Sequence, residues 1–216
     1  MRRVGLAAVI LMLAACHAPL RFNLPAETPT SIEGLTAAIA ADAQRSDQES
    51  DSRIREALAA DADRDGTACM ALAPQSAACL YYHGVALGLM ARAHPTRAGE
   101  LLKSMLEALN AAAAVDAGYD NAGPLRVQAL VLIKAPGWPL GPGDPDAGVA
   151  AARRAVSLAP QHPPNVLALA EALTKTGDNP GALENYRRAR ALAQALAPSP
   201  DRDAWLAQAD QALKHP

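Results

Sequence analysis

Alanine content is the feature of this sequence that most restricts its fold. The chain contains 52 alanines among 216 residues, whereas its aromatic residues are one Phe, four Tyr and two Trp. Alanine favours helices more than any other residue and is depleted in strands, which prefer aromatic and β-branched side chains. An apolar fraction of 50% excludes a wholly disordered chain. We therefore predict an all-α protein whose helices pack through small side chains.

The first 15 residues have the layout of a secretory signal peptide. Two arginines precede the uncharged apolar run Val4–Ala14, which is too short to span a bilayer as a permanent helix. The sequence Leu13-Ala14-Ala15-Cys16 then resembles the lipobox of bacterial lipoproteins, in which the cysteine becomes the lipidated first residue. The alternative is an ordinary cleaved signal followed by an incidental cysteine.

The lipobox resemblance implies a mature protein that begins at Cys16 and is attached to a membrane on the periplasmic side of the cell envelope. His17 stands where inner-membrane lipoproteins carry Asp, which favours the outer membrane. Residues 16–29 include Pro19, Pro25 and Pro29, which oppose helix formation, so we interpret them as a flexible tether. Residues 30–216 then form the folded domain.

Capping residues and apolar spacing predict helices in antiparallel pairs. The first helix begins at a capping box, with Thr30 three residues before Glu33, and runs to about Arg45. The second follows Ser50 and ends in the polar run Asp61–Gly66. Further helices are predicted at about residues 77–93, 96–115, 125–134, 146–158, 165–176, 180–196 and 201–214.

The predicted hairpin Asn165–Leu192 matches the tetratricopeptide repeat, a helical hairpin of about 34 residues with a loose pattern of large and small side chains. Its matching positions are Leu169, Ala170, Leu173, Gly177, Ala182, Tyr186 and Ala189. The preceding hairpin closes with Ala155–Pro160, and an earlier hairpin matches more weakly, at Tyr82, Leu89, Ala98, Leu102 and Met105. A generic bundle has the same helical spacing. We predict tetratricopeptide-like antiparallel helical hairpins that form a short solenoid or compact helical bundle.

A loop at residues 136–145 interrupts this pattern. It contains four prolines, three glycines and Trp138, one of the two tryptophans of the chain. Proline and glycine favour tight, restricted turns, and a restricted loop loses little entropy on binding. We therefore expect a ligand or partner to contact this loop, through Pro136, Gly137, Trp138 and Pro139. The alternative is a structural cap, with Trp138 packed against neighbouring helices.

The run Lys134–Leu140, followed by Gly143-Asp144, a helix and the pattern Ala155–Pro160, resembles the T-component (TatT) family of TRAP transporters. The resemblance is specific only from about Leu125 to Ala195. It implies a periplasmic, lipidated, all-helical protein that assists solute uptake together with an extracytoplasmic solute-binding protein. It also implies a possible homotrimer and a hydrophobic tunnel for an apolar or organic-acid ligand.

Cys69 and Cys79 are the thiols that remain after lipidation of Cys16. Because the periplasm is oxidising, we favour a disulfide between them over two buried reduced cysteines. The bridge would close a loop of about 11 residues and stabilise the fold by about 2–3 kcal/mol.

Few other residues indicate chemistry. Asp61, Asp63, Asp65 and Gly66 resemble the start of a calcium-binding loop, but Leu72 occupies the position of the bidentate glutamate. We therefore interpret the segment as a solvated helix end and predict no metal site. The five histidines lack ligand spacing, and no nucleophile elbow or phosphate-binding loop is present. We predict no catalytic residue and no cofactor.

The balance of 20 basic and 22 acidic residues gives no basic excess for nucleic acid. The sequence therefore favours a non-enzymatic accessory subunit in TRAP-type solute uptake that binds an apolar ligand or a solute-binding protein. An alternative is a generic tetratricopeptide lipoprotein that scaffolds envelope or secretion assemblies. A hydrolase with dispersed catalytic residues is a third class.

Overall fold

The computed structural model describes residues 29–214, and this part of the chain is helical. Its nine α-helices are α1 Ile32–Gln48, α2 Ser52–Leu72, α3 Ala77–Ala93, α4 Ala98–Val115, α5 Tyr119–Lys134, α6 Pro145–Leu158, α7 Pro163–Thr176, α8 Asn179–Gln194 and α9 Pro200–Lys214. A short 3₁₀ turn, Pro95–Arg97, precedes α4. The predicted all-α class is confirmed for these residues. The predicted signal peptide, Cys16 and the tether up to residue 28 lie outside them.

Short polar side chains mark the beginnings of the helices. Six of them accept a hydrogen bond from a backbone N–H of the first turn: Ser31, Asp51, Ser76, Asp144, Asp178 and Ser199. Such caps satisfy donors that have no partner inside the helix. At the other end of α7, Gly177 adopts a φ of 85°, a left-handed conformation that glycine tolerates without steric cost. These ends allow the chain to turn sharply between successive helices.

The antiparallel order of the helices gives the molecule two edges. The proximal edge contains the start of α1, where the described chain begins, and the turns 73–76, 116–118, 159–162 and 195–199. The distal edge contains the turns 49–51, 94–97, 135–144 and 177–178. The long loop that contains Trp138 therefore lies at the distal edge.

The largest hydrophobic core is formed by helices α5–α9. Alanines fill many of its closest contacts, and Ala152, Ala170 and Ala172 are fully buried. A methyl group at Gly148 would lie only 2.6 Å from Cγ2 of Ile133, so α5 and α6 approach too closely for any side chain there. Small residues thus set the helix separation in this half of the molecule.

The predicted end of the second helix is wrong. Helix α2 continues without interruption through the polar run and ends at Leu72. Asp65 is buried, and its carboxylate accepts a hydrogen bond from Nε of Arg64 at 3.1 Å. Gly66 is buried against α3, where an added methyl would lie 3.4 Å from Cα of His83. Tertiary contacts therefore stabilise a helix through residues that usually stop one.

Two other helix starts also differ from prediction. Helix α1 is capped by Ser31 rather than by Thr30, one residue later than expected. The range of α5 starts at Tyr119, but its right-handed helix begins only after Ala122, two residues before the predicted start at Leu125, and the residues before it are not an open turn. They form a left-handed turn in which Asp120, Asn121 and Ala122 have φ angles of 49°, 53° and 64°.

Candidate functional site

An apolar pocket opens between α3, α4 and α5, with a volume of about 610 Å³. Its lining is Gly88, Ala91, Arg92, Ala98, Leu102, Met105, Val127, Leu130, Val131, Lys134, Ala135 and Pro136. The small side chains of the glycine and alanines leave room for the cavity, while leucine, valine and methionine give it an apolar surface. A volume in this range is typical of small-molecule sites in proteins.

Two cations lie in the wall of the pocket, and both are paired with carboxylates. Nη1 of Arg92 lies 2.8 Å from Oδ1 of Asp47, and the same guanidinium donates to the hydroxyl of Ser46. Nζ of Lys134 lies 2.8 Å from Oε2 of Glu171. Both cations are partly exposed to solvent, so each is free to exchange its carboxylate for an anionic group.

The loop between α5 and α6 forms one rim of the pocket, through Pro136. Its backbone is closed by hydrogen bonds from Gly143 N to the Pro136 carbonyl at 2.9 Å and from Gly141 N to the Gly137 carbonyl at 3.2 Å. The carbonyl of Leu140 lies only 2.7 Å from where a side chain at Gly99 would begin, so the loop rests against the start of α4. The loop therefore has a defined position beside the pocket.

Trp138 projects from this loop into solvent. Its side chain is 91% exposed, and Leu140 beside it is 77% exposed. This exposure excludes the structural-cap interpretation, in which the indole packs against neighbouring helices. The structure brings Pro136 into the pocket wall, places Trp138 at the surface and holds Gly137 in the backbone bonds between them. A contact role for these residues remains a prediction.

The cysteine pair lies at the other edge of the molecule. The sulfur atoms of Cys69 and Cys79 are 2.01 Å apart, a disulfide that joins the end of α2 to the start of α3. Both residues are fully buried and contact Leu35 of α1. The cross-link thus lies at the start of α3, whereas the pocket residues Gly88, Ala91 and Arg92 lie near the end of the same helix.

Asp61, Asp63 and Asp65 are not a calcium loop in this structure. They lie on the continuous helix α2, where successive residues point in different directions and the sharp turn of a calcium loop is absent. Within residues 29–214, no group of three or more His, Cys, Asp or Glu side chains is arranged to hold a metal ion.

A buried polar network supports the left-handed turn and was missed by sequence reasoning. Asn165 is fully buried, and its amide donates to the carbonyls of Asn121 at 2.9 Å, Ala155 at 3.2 Å and Ala159 at 3.3 Å. Arg126 donates to Oδ1 of Asn165 at 3.1 Å and lies 3.0 Å from Oδ2 of Asp120. The only signal in the sequence is the placement of one Asn after two prolines.

Three tyrosines pack beside this turn. The ring centroids of Tyr81 and Tyr119 are 5.6 Å apart, and those of Tyr81 and Tyr82 are 5.0 Å apart, both in edge-to-face geometry. Burial raises the pKa of each of the three hydroxyls above its usual value, so they stay neutral at physiological pH. These rings therefore act as packing groups between α3 and α5.

The fold resembles that of solved tetratricopeptide-repeat structures. A thermophilic tetratricopeptide-repeat protein from Thermus thermophilus superimposes with a TM-score of 0.65 at 21% sequence identity, covering 86% of this chain and 84% of that one. This confirms the predicted fold of tetratricopeptide-like helical hairpins. No protein-family model and no curated protein matches the sequence. Among residues 29–214, no helix combines the length and the hydropathy needed to cross a membrane.

Proposed function

We propose that this protein is a non-enzymatic periplasmic lipoprotein and an accessory, T-component-like subunit of TRAP-type solute uptake. The observation that carries this proposal is the apolar pocket of about 610 Å³ beside the exposed Trp138 loop. The lipobox at Cys16 and the sequence resemblance at Leu125–Ala195 support the compartment and the transport role. The pocket takes an apolar ligand, and the loop contacts a solute-binding protein.

The lining of the pocket supports an apolar ligand. Leu102, Met105, Leu130 and Val131 offer aliphatic or thioether surface. Burying such a ligand stabilises it by about 25 cal/mol for each Å² of apolar area removed from water. The pocket is held on three helices, which makes it largely pre-formed and reduces the ordering cost of binding.

Filling the pocket tests this part of the proposal. Ala98 lines the pocket and is partly buried, so Ala98→Trp places an indole in the cavity. We expect the variant to bind the neutral fluorophore N-phenyl-1-naphthylamine at least tenfold more weakly than the parent protein. Ala147→Trp, on the exposed surface of α6, is the matched control and should bind normally. Equal binding by both variants and the parent contradicts a ligand role for the pocket.

The exposed loop is tested by crosslinking in cells. A photoreactive benzoylphenylalanine at position 138 should crosslink to an extracytoplasmic solute-binding protein, identified by mass spectrometry. The same photoreactive residue at position 147, in place of the exposed Ala147, should not crosslink to that protein. We expect Trp138→Ala to weaken that association at least tenfold, since exposed aromatic residues on rigid supports are common binding hot spots.

A tetratricopeptide scaffold is the second candidate function. It is favoured by the similarity to the Thermus protein and by the exposed Trp138 and Leu140, which suit a protein partner without any ligand. Two results together support this function over transport. Position 138 crosslinks to an envelope-assembly or secretion component, and Ala98→Trp binds N-phenyl-1-naphthylamine as tightly as the parent protein does. A gene position beside a TRAP-type permease favours transport instead.

The lipid anchor is tested at Cys16. A Cys16→Ser variant should lose metabolic labelling by palmitate and leave the membrane fraction. A parent protein that takes up no label, with the variant still bound to membranes, contradicts the lipobox interpretation.

A further inference from the structure

Four exposed aliphatic side chains lie at the proximal edge of the molecule. Leu72, Val115 and Leu158 are the last residues of α2, α4 and α6, and Leu196 lies just beyond α8. Their exposed fractions are 57%, 54%, 51% and 43%. Because every second helix ends at the same edge, these side chains form a row along it.

Contacts between side chains show that this edge is continuous. The start of α1 packs with Cys69 and Cys79, and Tyr81 of α3 packs with Tyr119 of α5. Asn165 of α7 bonds to the end of α6 and to the left-handed turn of α5. The rings of His162 and Trp205 then join the start of α7 to the start of α9 at 5.9 Å. The row thus belongs to one surface.

Charge separates the two edges. The proximal turns 73–76, 116–118, 159–162 and 195–199 contain one formal charge, that of Asp116, and no Lys or Arg. The distal turns contain Glu49, Asp51, Arg97, Asp144 and Asp178. Approach to an apolar medium removes water from whatever it covers, and removing water from charged groups is costly. The proximal turns themselves can make that approach with little charge to desolvate, and the acidic residues of this edge, Glu33, Asp120, Asp201 and Asp203, lie in the first turns of the helices that start there.

Proline lowers the polarity of the proximal edge further. The sequence Leu-Ala-Pro recurs at residues 72–74, 158–160 and 196–198, so three of the four exposed side chains lie two residues before a proline. Proline has no backbone N–H, which removes one hydrogen-bond donor from each of these turns. The repeated combination of exposed leucine and missing donor suits contact with a lipid surface.

The chain also enters the domain at this edge. Pro29 lies against the first turn of α1, 2.9 Å from where a side chain at Gly34 would begin. Pro29 lies 13 positions after Cys16 in the sequence, and a chain of that length spans at most about 45 Å. The 17 residues of α1 extend about 25 Å from this edge to the other. A lipid attached at Cys16 therefore tethers the domain through its proximal edge. Because the tether can span more than the height of α1, its length does not fix which edge faces the bilayer, and the row of exposed aliphatic side chains must do so.

We propose that the proximal edge rests on the lipid surface, with Leu72, Val115, Leu158 and Leu196 in the headgroup region. This inference rests on the lipid anchor of the proposed function. Tethering raises the effective concentration of the edge at the membrane, so weak apolar contacts suffice to orient the domain. The pocket and Trp138, at the distal edge, then face away from the membrane toward partners.

Quenching by brominated lipid tests the orientation. The full lipidated protein is reconstituted into vesicles of phosphatidylethanolamine and phosphatidylglycerol that contain brominated phosphatidylcholine, which quenches indoles on contact. Trp138→Phe serves as the background, and Leu158→Trp is added to it as the test variant. We expect the added indole to lose at least half of its fluorescence. In the parent protein, the fluorescence due to Trp138 should remain unquenched. Circular dichroism verifies that each variant is folded.

Each other outcome overturns the inference in a recognisable way. Quenching of Trp138 but not of the indole from Leu158→Trp means that the distal edge faces the membrane. No quenching at either site, together with a dimer detected by analytical ultracentrifugation in detergent, means that the proximal edge binds a second copy of the chain. No quenching at either site without a dimer means that the proximal edge does not contact lipid. Failure of the parent protein to label with palmitate removes the lipid anchor itself, and the inference with it. A negative result in the fluorophore-binding test or in the crosslinking test of the proposed function does not change the interpretation of this quenching experiment.

Discussion

Helices α6–α9 pack mainly through small side chains, whereas in the N-terminal part a disulfide joins α2 to α3, and α1 and α2 contain buried carboxylates. In the C-terminal helices, Ala152, Ala170 and Ala189 are almost completely buried and belong to the largest core. Asp42 and Asp65 are buried polar residues of α1 and α2, where the cores are smaller. Small side chains allow close helix approach and many contacts, so the C-terminal half needs no cross-link.

The contrast shows two ways to stabilise one repeated architecture. Burying a carboxylate such as that of Asp42 costs free energy, and burial accordingly raises its pKa. A cross-link between Cys69 and Cys79 acts instead on the unfolded chain, whose freedom it reduces. The N-terminal half thus depends on covalent restraint, and the C-terminal half depends on packing and one polar network. Changes directed at each half test this distinction.

The largest effect is expected for Asn165→Ala in the C-terminal half. Its amide serves three carbonyls and accepts from Arg126, so its loss leaves several buried groups without partners. We expect a loss of about 3 kcal/mol in the free energy of unfolding, measured by urea denaturation. Asn185→Ala, which removes one bond within α8, is the control and should cost less than about 1 kcal/mol. An equal loss of unfolding free energy in the two variants means that the Asn165 network contributes no more to stability than one ordinary hydrogen bond.

Removal of the disulfide is expected to affect the N-terminal half next most strongly. The double change Cys69→Ala and Cys79→Ala should lower the free energy of unfolding by about 2–3 kcal/mol. Hydrogen exchange should become faster in α1–α3 and stay unchanged in α7–α9. A reductant should lower the Tm of the parent but not of the double variant. Uniform exchange along the whole chain contradicts the division into two differently stabilised halves.

Gly148→Ala tests close packing in the C-terminal half. The added methyl would lie 2.6 Å from Cγ2 of Ile133 and 3.3 Å from the carbonyl of Ala129, so α5 and α6 must separate. We expect a cost of about 1–2 kcal/mol, seen as a lower Tm. Gly118→Ala meets only a carboxylate oxygen of Asp116 at 3.4 Å and should be close to neutral. A Tm for Gly148→Ala equal to that of the parent contradicts the close approach.

The smallest effect concerns pH and His83. Burial lowers the pKa of this histidine, and its Nδ1 has no hydrogen-bond partner. The unfolded chain therefore binds a proton more readily than the folded one, and stability falls as pH decreases from about 7 through 6.5 and below. We expect His83→Gln to flatten this decline in a series of thermal denaturations. Burial and nearby Arg126 lower the pKa of His162 as well, so part of the decline should remain.

Sequence reasoning succeeded where local signals agree with tertiary packing. The predicted bounds of α3 coincide with the observed helix Ala77–Ala93, and those of the last four helices differ by at most two residues at each end. In these helices the caps, prolines and apolar spacing favour the same conformation. The tetratricopeptide-like repeat in the C-terminal half could be recognised from the sequence for the same reason.

It failed where distant contacts override local preference. Asp65 and Gly66 usually favour a helix end, but packing against α3 keeps them helical. The left-handed residues Asn121 and Ala122 depend on Asn165, some 40 positions later in the chain. The residues that line the apolar pocket were missed as well, because they come from three helices whose small residues, such as Gly88, resemble those of any helix contact.

Helix α9 determines what the end of the helix stack offers to another molecule. One of its faces covers the C-terminal core through Trp205, Ala209 and Leu213. Its other face carries exposed polar residues, among them Asp201 and Gln211. Stacked repeats would otherwise leave an apolar end on which a further copy could add, head to tail, into a filament. The outer face of α9 presents polar residues in place of such an apolar end, which disfavours head-to-tail addition on this face.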